Sequence, residues 1–135
     1  MLIRPSSQVD IYNFKPHKDD LNEALAAGHE PSFPNPQDCV SLVHEGTVLA
    51  IGGNHEDQVW FVTSHLVDSL TTSERSRFRK LIVAYRDIML DSYPVLWNYV
   101  WIGNKSHIRF LKTIGAEFHK EYSMNGLFQL FTITK

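Results

Sequence analysis

The chain has 135 residues, of which 43% are hydrophobic and 21% charged, and its formal net charge is −2. A single domain of that size buries its own core without metal or disulfide staples, and the charge balance excludes a global basic field for nucleic acid or an anionic membrane. No run of about 18 apolar residues is present, so the sequence predicts no membrane contact through a spanning helix.

In chain order, Leu2, Ile3 and Arg4 form a short apolar start that Pro5 interrupts, which predicts an edge strand followed by a turn. Residues 19–27 read as a helix with Leu21, Ala24 and Leu25 on one face and Gly28 as its stop. The stretch 29–36 carries Pro31, Pro34 and Pro36 and reads as a stiffened loop. Cys39, the only cysteine, cannot form an internal disulfide, which points to a reducing compartment. It leads the apolar run CVSLV and reads as a small core residue.

Three strands rich in β-branched and aromatic residues follow at 39–44, 47–51 and 58–63, and their tight connections predict an antiparallel meander. Thr71 and Glu74 have capping-box spacing. Behind them Phe78, Leu81, Ile82, Tyr85, Ile88 and Met89 recur every three or four residues as one helical face. Pro94 follows that helix, and 95–102 reads as a strand with Trp97, Tyr99 and Trp101 on one face. Gly103-Asn104 opens a last helix whose apolar face is Ile108, Leu111 and Ile114, and Gly115 stops it. Asn125-Gly126, between strands at 117–122 and 127–134, predicts a hairpin. Residues 1–135 form one domain in this reading.

That order of elements is similar to the GNAT (N-acetyltransferase-like) fold. The best local match is NKSHIRFLKTIG at 104–115, with an Asn and a Gly eleven positions apart bracketing the helix, and LIRP at 2–5 looks like the usual opening. The implied class is α+β: a mixed, mostly antiparallel twisted sheet of about seven strands flanked by three to four helices. The resemblance also implies a splay between the strands at 58–63 and 95–102, where the family's cofactor enters. A longer resemblance runs through DQVWFVTS (57–64), LWNYVW (96–101), SHIRFLK (106–112) and FQLFTIT (128–134) to the gene 13 product family of T-seven-like short-tailed phages. It implies a late protein of virion assembly, located in the host cytoplasm or the virion, whose partners are phage virion or host proteins.

The GNAT resemblance implies three contacts with acetyl-CoA. Backbone groups of Phe61, Val62 and Thr63 would face the pantetheine arm. A Gly-rich turn would hold the pyrophosphate, but the segment here is SHLVDSLTTS (64–73), without Gly and with the repelling charge of Asp68. The helix start with Thr72, Ser73 and Arg75 is a partial substitute, opposed by the reading of a simple capped start. Asn104 opens the helix beside the cofactor. The Tyr that protonates the leaving thiolate falls at Leu111, which donates no proton. Asp57 stands near the usual general base, and its alternative reading is a solvated turn. His107 lies one turn into the last helix, as polar lining or as the satisfied partner of a neighbour. The histidines show no metal spacing with Cys39, so no metal is expected. The basic residues between Arg75 and Arg86 read as a solvated face rather than a nucleic-acid site.

Two functions follow. One is a virion-assembly protein working through protein binding, with degenerate or weak acyl-CoA use. The other is an acetyl-CoA-dependent N-acetyltransferase acting on a host or phage protein amine. The missing Gly turn and the missing Tyr favour the first.

Overall fold

Short two-residue turns organise the first half of the molecule. In the computed structural model, which describes residues 1–28 and 35–135, Glu45-Gly46 joins β2 (Val40–His44) to β3 (Thr47–His55). Glu56-Asp57 then joins β3 to β4 (Gln58–Thr63). Glu45, Gly46 and Glu56 all have positive φ, as tight hairpin turns require. β2, β3 and β4 make the expected antiparallel meander, and β1 (Leu2–Pro5) pairs antiparallel with β2 at its edge. The third strand runs four residues past the expected end at Ile51. Gly52 and Gly53, which look like breakers in the sequence, stand inside the ladder because β4 crowds them. A Cβ on Gly52 would lie 2.8 Å from the Trp60 carbonyl and 2.9 Å from Phe61 Cβ.

The second half is β5 (Val95–Trp101), β6 (Glu117–Met124) and β7 (Phe128–Thr134). The sheet order is β1-β2-β3-β4-β5-β7-β6, seven strands, with every described pairing antiparallel except β4 with β5. That pair shares one register position, Gln58 with Trp97, and then the strands diverge. The splay expected from the sequence is therefore present. Asn125 and Gly126, both at positive φ, close the expected hairpin between β6 and β7.

Among the described residues four α-helices cover the sheet: α1 (Gln8–Asn13), α2 (Lys18–Ala26), α3 (Thr72–Ser92) and α4 (Lys105–Thr113). The first replaces the turn expected after Pro5. Ser7 and Asp10 form a reciprocal capping box that starts it, and Asp10 also ion-pairs with Arg4 and accepts from Ser41 Oγ at 3.0 Å. The Arg4 guanidinium holds the Asp10 carboxyl well below the usual carboxylate range. At α3 the expected box is intact: Glu74 N donates to Thr71 Oγ1 and Thr71 N to Glu74 Oε1. Of the proline-rich loop expected at 29–36, residues 29–34 lie outside the described residues.

The core lies mainly between the sheet and the layer of α3 and α4. One cluster gathers Leu90, Leu96, Val100, Leu111, Ile114, Phe131 and Ile133, and the other Leu42, Leu49, Ala50 and Phe78. Leu81, Ile82 and Ile108 pack against them as expected. Ile88 does not: it is 64% exposed, and Leu90 takes the buried position instead. The α2 face also differs from expectation. Leu25 is 64% exposed while Asp20 is buried. A short helix with a polar mean buries whichever side finds hydrogen-bond donors, and here that is its carboxylate side.

These burials set a contrast measurable by urea denaturation. Leu111→Ala at a 2% exposed site should lose about 2–5 kcal/mol. Ile88→Ala should change stability by less than about 0.5 kcal/mol. A loss at Ile88 as large as that at Leu111, on α4, would mean that the face of α3 assigned to solvent is wrong.

Candidate functional site

At the splay between β4 and β5 two buried polar residues, Asp20 and Asn104, meet. Along β4, alternate residues turn their backbone N–H and C=O toward β3 or away from it. Ser64 N donates to Leu49 O on the β3 side at 2.8 Å, so Thr63 faces the splay. Its N–H donates to Asp20 Oδ2 at 2.9 Å, and its carbonyl accepts from His17 N at 2.7 Å. At the other end, the Val59 carbonyl accepts from Asn98 Nδ2 at 2.8 Å. Of the β4 backbone groups that look into the splay, the Thr63 N–H is thus claimed by α2, the Thr63 carbonyl by the residue preceding α2, and the Val59 carbonyl by β5.

Asp20 ties this edge to the start of α4. Its Oδ1 accepts from Asn104 Nδ2 at 2.9 Å, and its side chain is 5% exposed. Asn104 is fully buried and fully used. Its Oδ1 accepts from His107 N at 3.3 Å as the N-cap, and Nδ2 also reaches Glu23 Oε1 at 3.4 Å. Glu23 Oε1 accepts from Trp101 N at 2.9 Å, which fastens the end of β5 to α2. Burial pushes the Glu23 carboxyl up, against the lowering effect of those two donors. Asp19 completes the set by accepting from Ser106 Oγ at 2.7 Å.

An aromatic stack fills the space between the strands. The His107 ring lies on Phe61 at 4.4 Å, Phe110 meets Phe61 edge-on at 5.6 Å, and Phe78 meets Phe110 at 5.7 Å. Burial pushes the His107 imidazole down, opposed by the Asp20 charge, so the neutral ring is favoured. Its Nδ1 stands 3.7 Å from Asp20 Oδ1, beyond hydrogen-bond length. What stays open is a largely apolar cavity of about 130 Å³, lined among others by Phe61, Ile82, Met89, Leu96, His107 and Leu111. That is below the roughly 300–1,000 Å³ of pockets that hold drug-sized ligands.

The residues singled out in the sequence separate into three places. Phe61, Thr63, Asn104 and His107 meet around Asp20, whereas Val62 pairs with Ile51 in the β3–β4 ladder. Asp57 is elsewhere, at the closed end of the splay. Its Oδ1 accepts from the Trp97 indole at 3.0 Å and its carbonyl from Trp97 N at 3.1 Å. It lies roughly 13 Å along the strand from Phe61 and its His107 stack. Thr72, Ser73 and Arg75 form the third place, at the exposed start of α3. There Arg75 turns back, donating to Leu70 O at 3.2 Å and Asp68 O at 2.9 Å. Glu74 sits on the same helix end, paired with His44 at 2.7 Å. Hydrogen bonds from the Thr71 backbone and from His44 lower its carboxyl to about 2. A carboxylate that stays ionised occupies the positive end of the helix. Asp20 and Glu23 carried no functional sign in the sequence. The available clue was Asn104, a cap whose amide needs a buried acceptor. Among the described residues no group of three or more His, Cys, Asp or Glu could hold a metal ion, and no helix is long and apolar enough to cross a membrane.

Comparison with known proteins adds two findings. Residues 38–123 match the family described as "Bacteriophage T7, probable scaffold protein Gp13". The probable scaffold protein gp13 of Escherichia phage T7 is 59% identical over 135 residues, covering 100% of this chain and 98% of its own. Among solved structures, an acetyltransferase from Agrobacterium tumefaciens superposes with a TM-score of 0.66 at 16% identity, over 98% of this chain and 90% of that one. A ribosomal-protein-alanine N-acetyltransferase from Brucella melitensis gives 0.58 at 11% identity, with both chains fully covered. At such identities the likeness shows the fold, which is that of the GNAT acetyltransferases.

The Asp20 network predicts an asymmetry between its two carboxylates. Asp20→Ala leaves the Thr63 N–H without its acceptor, at about 1–3 kcal/mol for that buried orphan, and leaves the Asn104 amide only its 3.4 Å contact to Glu23. Glu23→Gln keeps the acceptor for Trp101 N and removes a charge that burial disfavours, so its stability at pH 7 should equal or exceed wild type. Chemical denaturation of the two variants checks both, and a Glu23→Gln loss as large as that of Asp20→Ala would contradict the assignment.

Proposed function

The chain belongs to the phage gp13 family of probable scaffold proteins, and on that premise we propose that it serves the assembly of a short-tailed phage particle by binding protein rather than by transferring acetyl groups. Its setting is the host cytoplasm during assembly, and its partners are other proteins of the forming particle. The observation that carries this reading is the occupation of the β4 edge by the chain's own groups.

A pantetheine arm lying along β4 would have to take the Thr63 N–H from the Asp20 carboxylate. A hydrogen bond to a charged group is worth about 1.5–3 kcal/mol net. At about 1.4 kcal/mol per decade, that displacement alone costs roughly tenfold to a hundredfold in affinity. The ligand would also have to part the His107 and Phe61 rings, stacked at 4.4 Å. At α3 the phosphates would meet Glu74, with Arg75 already donating to two carbonyls. The splay and its cavity leave room for a second reading, weak acyl-CoA binding retained from the fold, with Phe61 and His107 lining the cavity.

Titration of acetyl-CoA into the purified protein by calorimetry separates the readings. We expect a Kd in the high micromolar range or weaker, unchanged by Arg75→Ala. Submicromolar binding that Arg75→Ala weakens tenfold would revive the acetyltransferase, with Asp57 and His107 as the first residues to test for base chemistry.

A further inference from the structure

The outward face of α3 carries charges in an order that its own helix does not want. Arg77, Lys80, Ala84, Asp87 and Asp91 follow one another at spacings of three and four residues, so they form one ridge, and all five are exposed. The cations sit in the N-terminal half and the acids in the C-terminal half. The helix macrodipole favours the reverse, with acids near the start and cations near the end. The last turn of α3 contains no basic residue. Neighbours along the ridge repel as well: Arg77 and Lys80 are like charges three apart, and Asp87 and Asp91 are like charges four apart. Along the ridge itself no opposite charges stand three or four residues apart. The acids do hold cations from beside the ridge. Asp87 accepts from Arg86 at 2.8 Å and Asp91 from Lys135 at 2.9 Å, but exposed pairs of this kind hold weakly.

An antiparallel second copy of the same helix sets opposite charges against both halves of the ridge. About a two-fold axis near Ala84, Arg77 and Lys80 of one copy lie against Asp87 and Asp91 of the other, and the same pairing repeats on the far side of the axis. Ala84 is the small residue at the crossing, where helix axes must approach to about 8–10 Å. Ile88, 64% exposed beside the ridge, adds an apolar contact in each half. The helix has 21 residues, about 31 Å, so both charged halves fit within one helix pair. We propose that this protein associates with itself through the outward ridge of α3, as an isologous antiparallel dimer held by complementary charge. The contact is one helix wide and polar, which places it among small, reversible interfaces rather than obligate ones.

Charge swapping tests this directly. Two variants are made, Arg77→Glu with Lys80→Glu, and Asp87→Lys with Asp91→Lys, and circular dichroism verifies that each is folded. Sedimentation velocity at high micromolar concentration and low salt should show a dimer for the wild type and monomer for each variant alone. An equimolar mixture of the two variants should form a dimer, because an all-acidic ridge then meets an all-basic one. Raising salt to roughly 1 M, where the Debye length falls to about 3 Å, should weaken the wild-type dimer at least about tenfold. A wild type that stays monomeric at low salt overturns the proposal. So does a dimer that survives either pair of substitutions, or a mixture that fails to associate.

Discussion

The Asp20 carboxylate is the contact on which the arrangement of this molecule turns. The sheet has a seam: β4 and β5 share one register position and then part, so no backbone ladder joins the first four strands to the last three along most of their length. Elsewhere in the sheet each neighbouring pair continues for four or more positions. Asp20 crosses the seam from α2, with one oxygen on the Thr63 N–H and the other on the Asn104 amide. Glu23, one turn on, adds the end of β5 through Trp101 N. At the opposite end Asp57 performs the same service through the Trp97 indole. A buried carboxylate held by neutral donors is costly unless each lone pair is used. Its place here is intelligible because the donors it satisfies would otherwise be orphaned at an open strand edge.

The same seam is the feature that makes the fold recognisable as an acetyltransferase scaffold. In this chain the seam is bridged from inside and acts as a structural joint. The closure has three independent parts: carboxylate and backbone contacts on the strand edge, rings of Phe61, His107 and Phe110 in the gap, and a helix start at α3 occupied by Glu74. On the reading proposed above, each of them opposes a ligand at the seam. A family of probable scaffold proteins on an enzyme fold fits this pattern, since a rigid joint with outward-facing helices suits a binding role. The reversed charge order on α3 belongs to the same picture, being a property of the surface and not of the cleft.

Much of the fold was legible because its signals are local. The Thr71 and Glu74 box, the Asn104 cap with its Gly115 stop, and the Asn125-Gly126 turn all mark short-range geometry that side-chain chemistry alone dictates. The failures share a cause as well. Gly52 and Gly53 read as breakers until the pressure of Trp60 and Phe61 on the neighbouring strand is known. Ile88 fits the apolar period of α3 yet faces out, because Leu90 turns into the core. The site was only half visible. Phe61, Thr63, Asn104 and His107 could be placed by their elements, but Asp20 lies 43 residues from Thr63 and 84 from Asn104. No spacing pattern encodes such contacts. The helix that carries Asp20 was oriented by its leucines, whereas its carboxylates decide which side is buried.

The account rests on the β4 edge being closed in the free protein and staying closed when acyl-CoA is offered. Hydrogen exchange of the Thr63 and Trp101 amides, followed by NMR with and without low-micromolar acetyl-CoA, tests that most directly. Both amides should be strongly protected, with protection and chemical shift unchanged by the ligand. A Thr63 amide that exchanges as an open strand edge does, or that shifts and gains a new partner at micromolar acetyl-CoA, would contradict it.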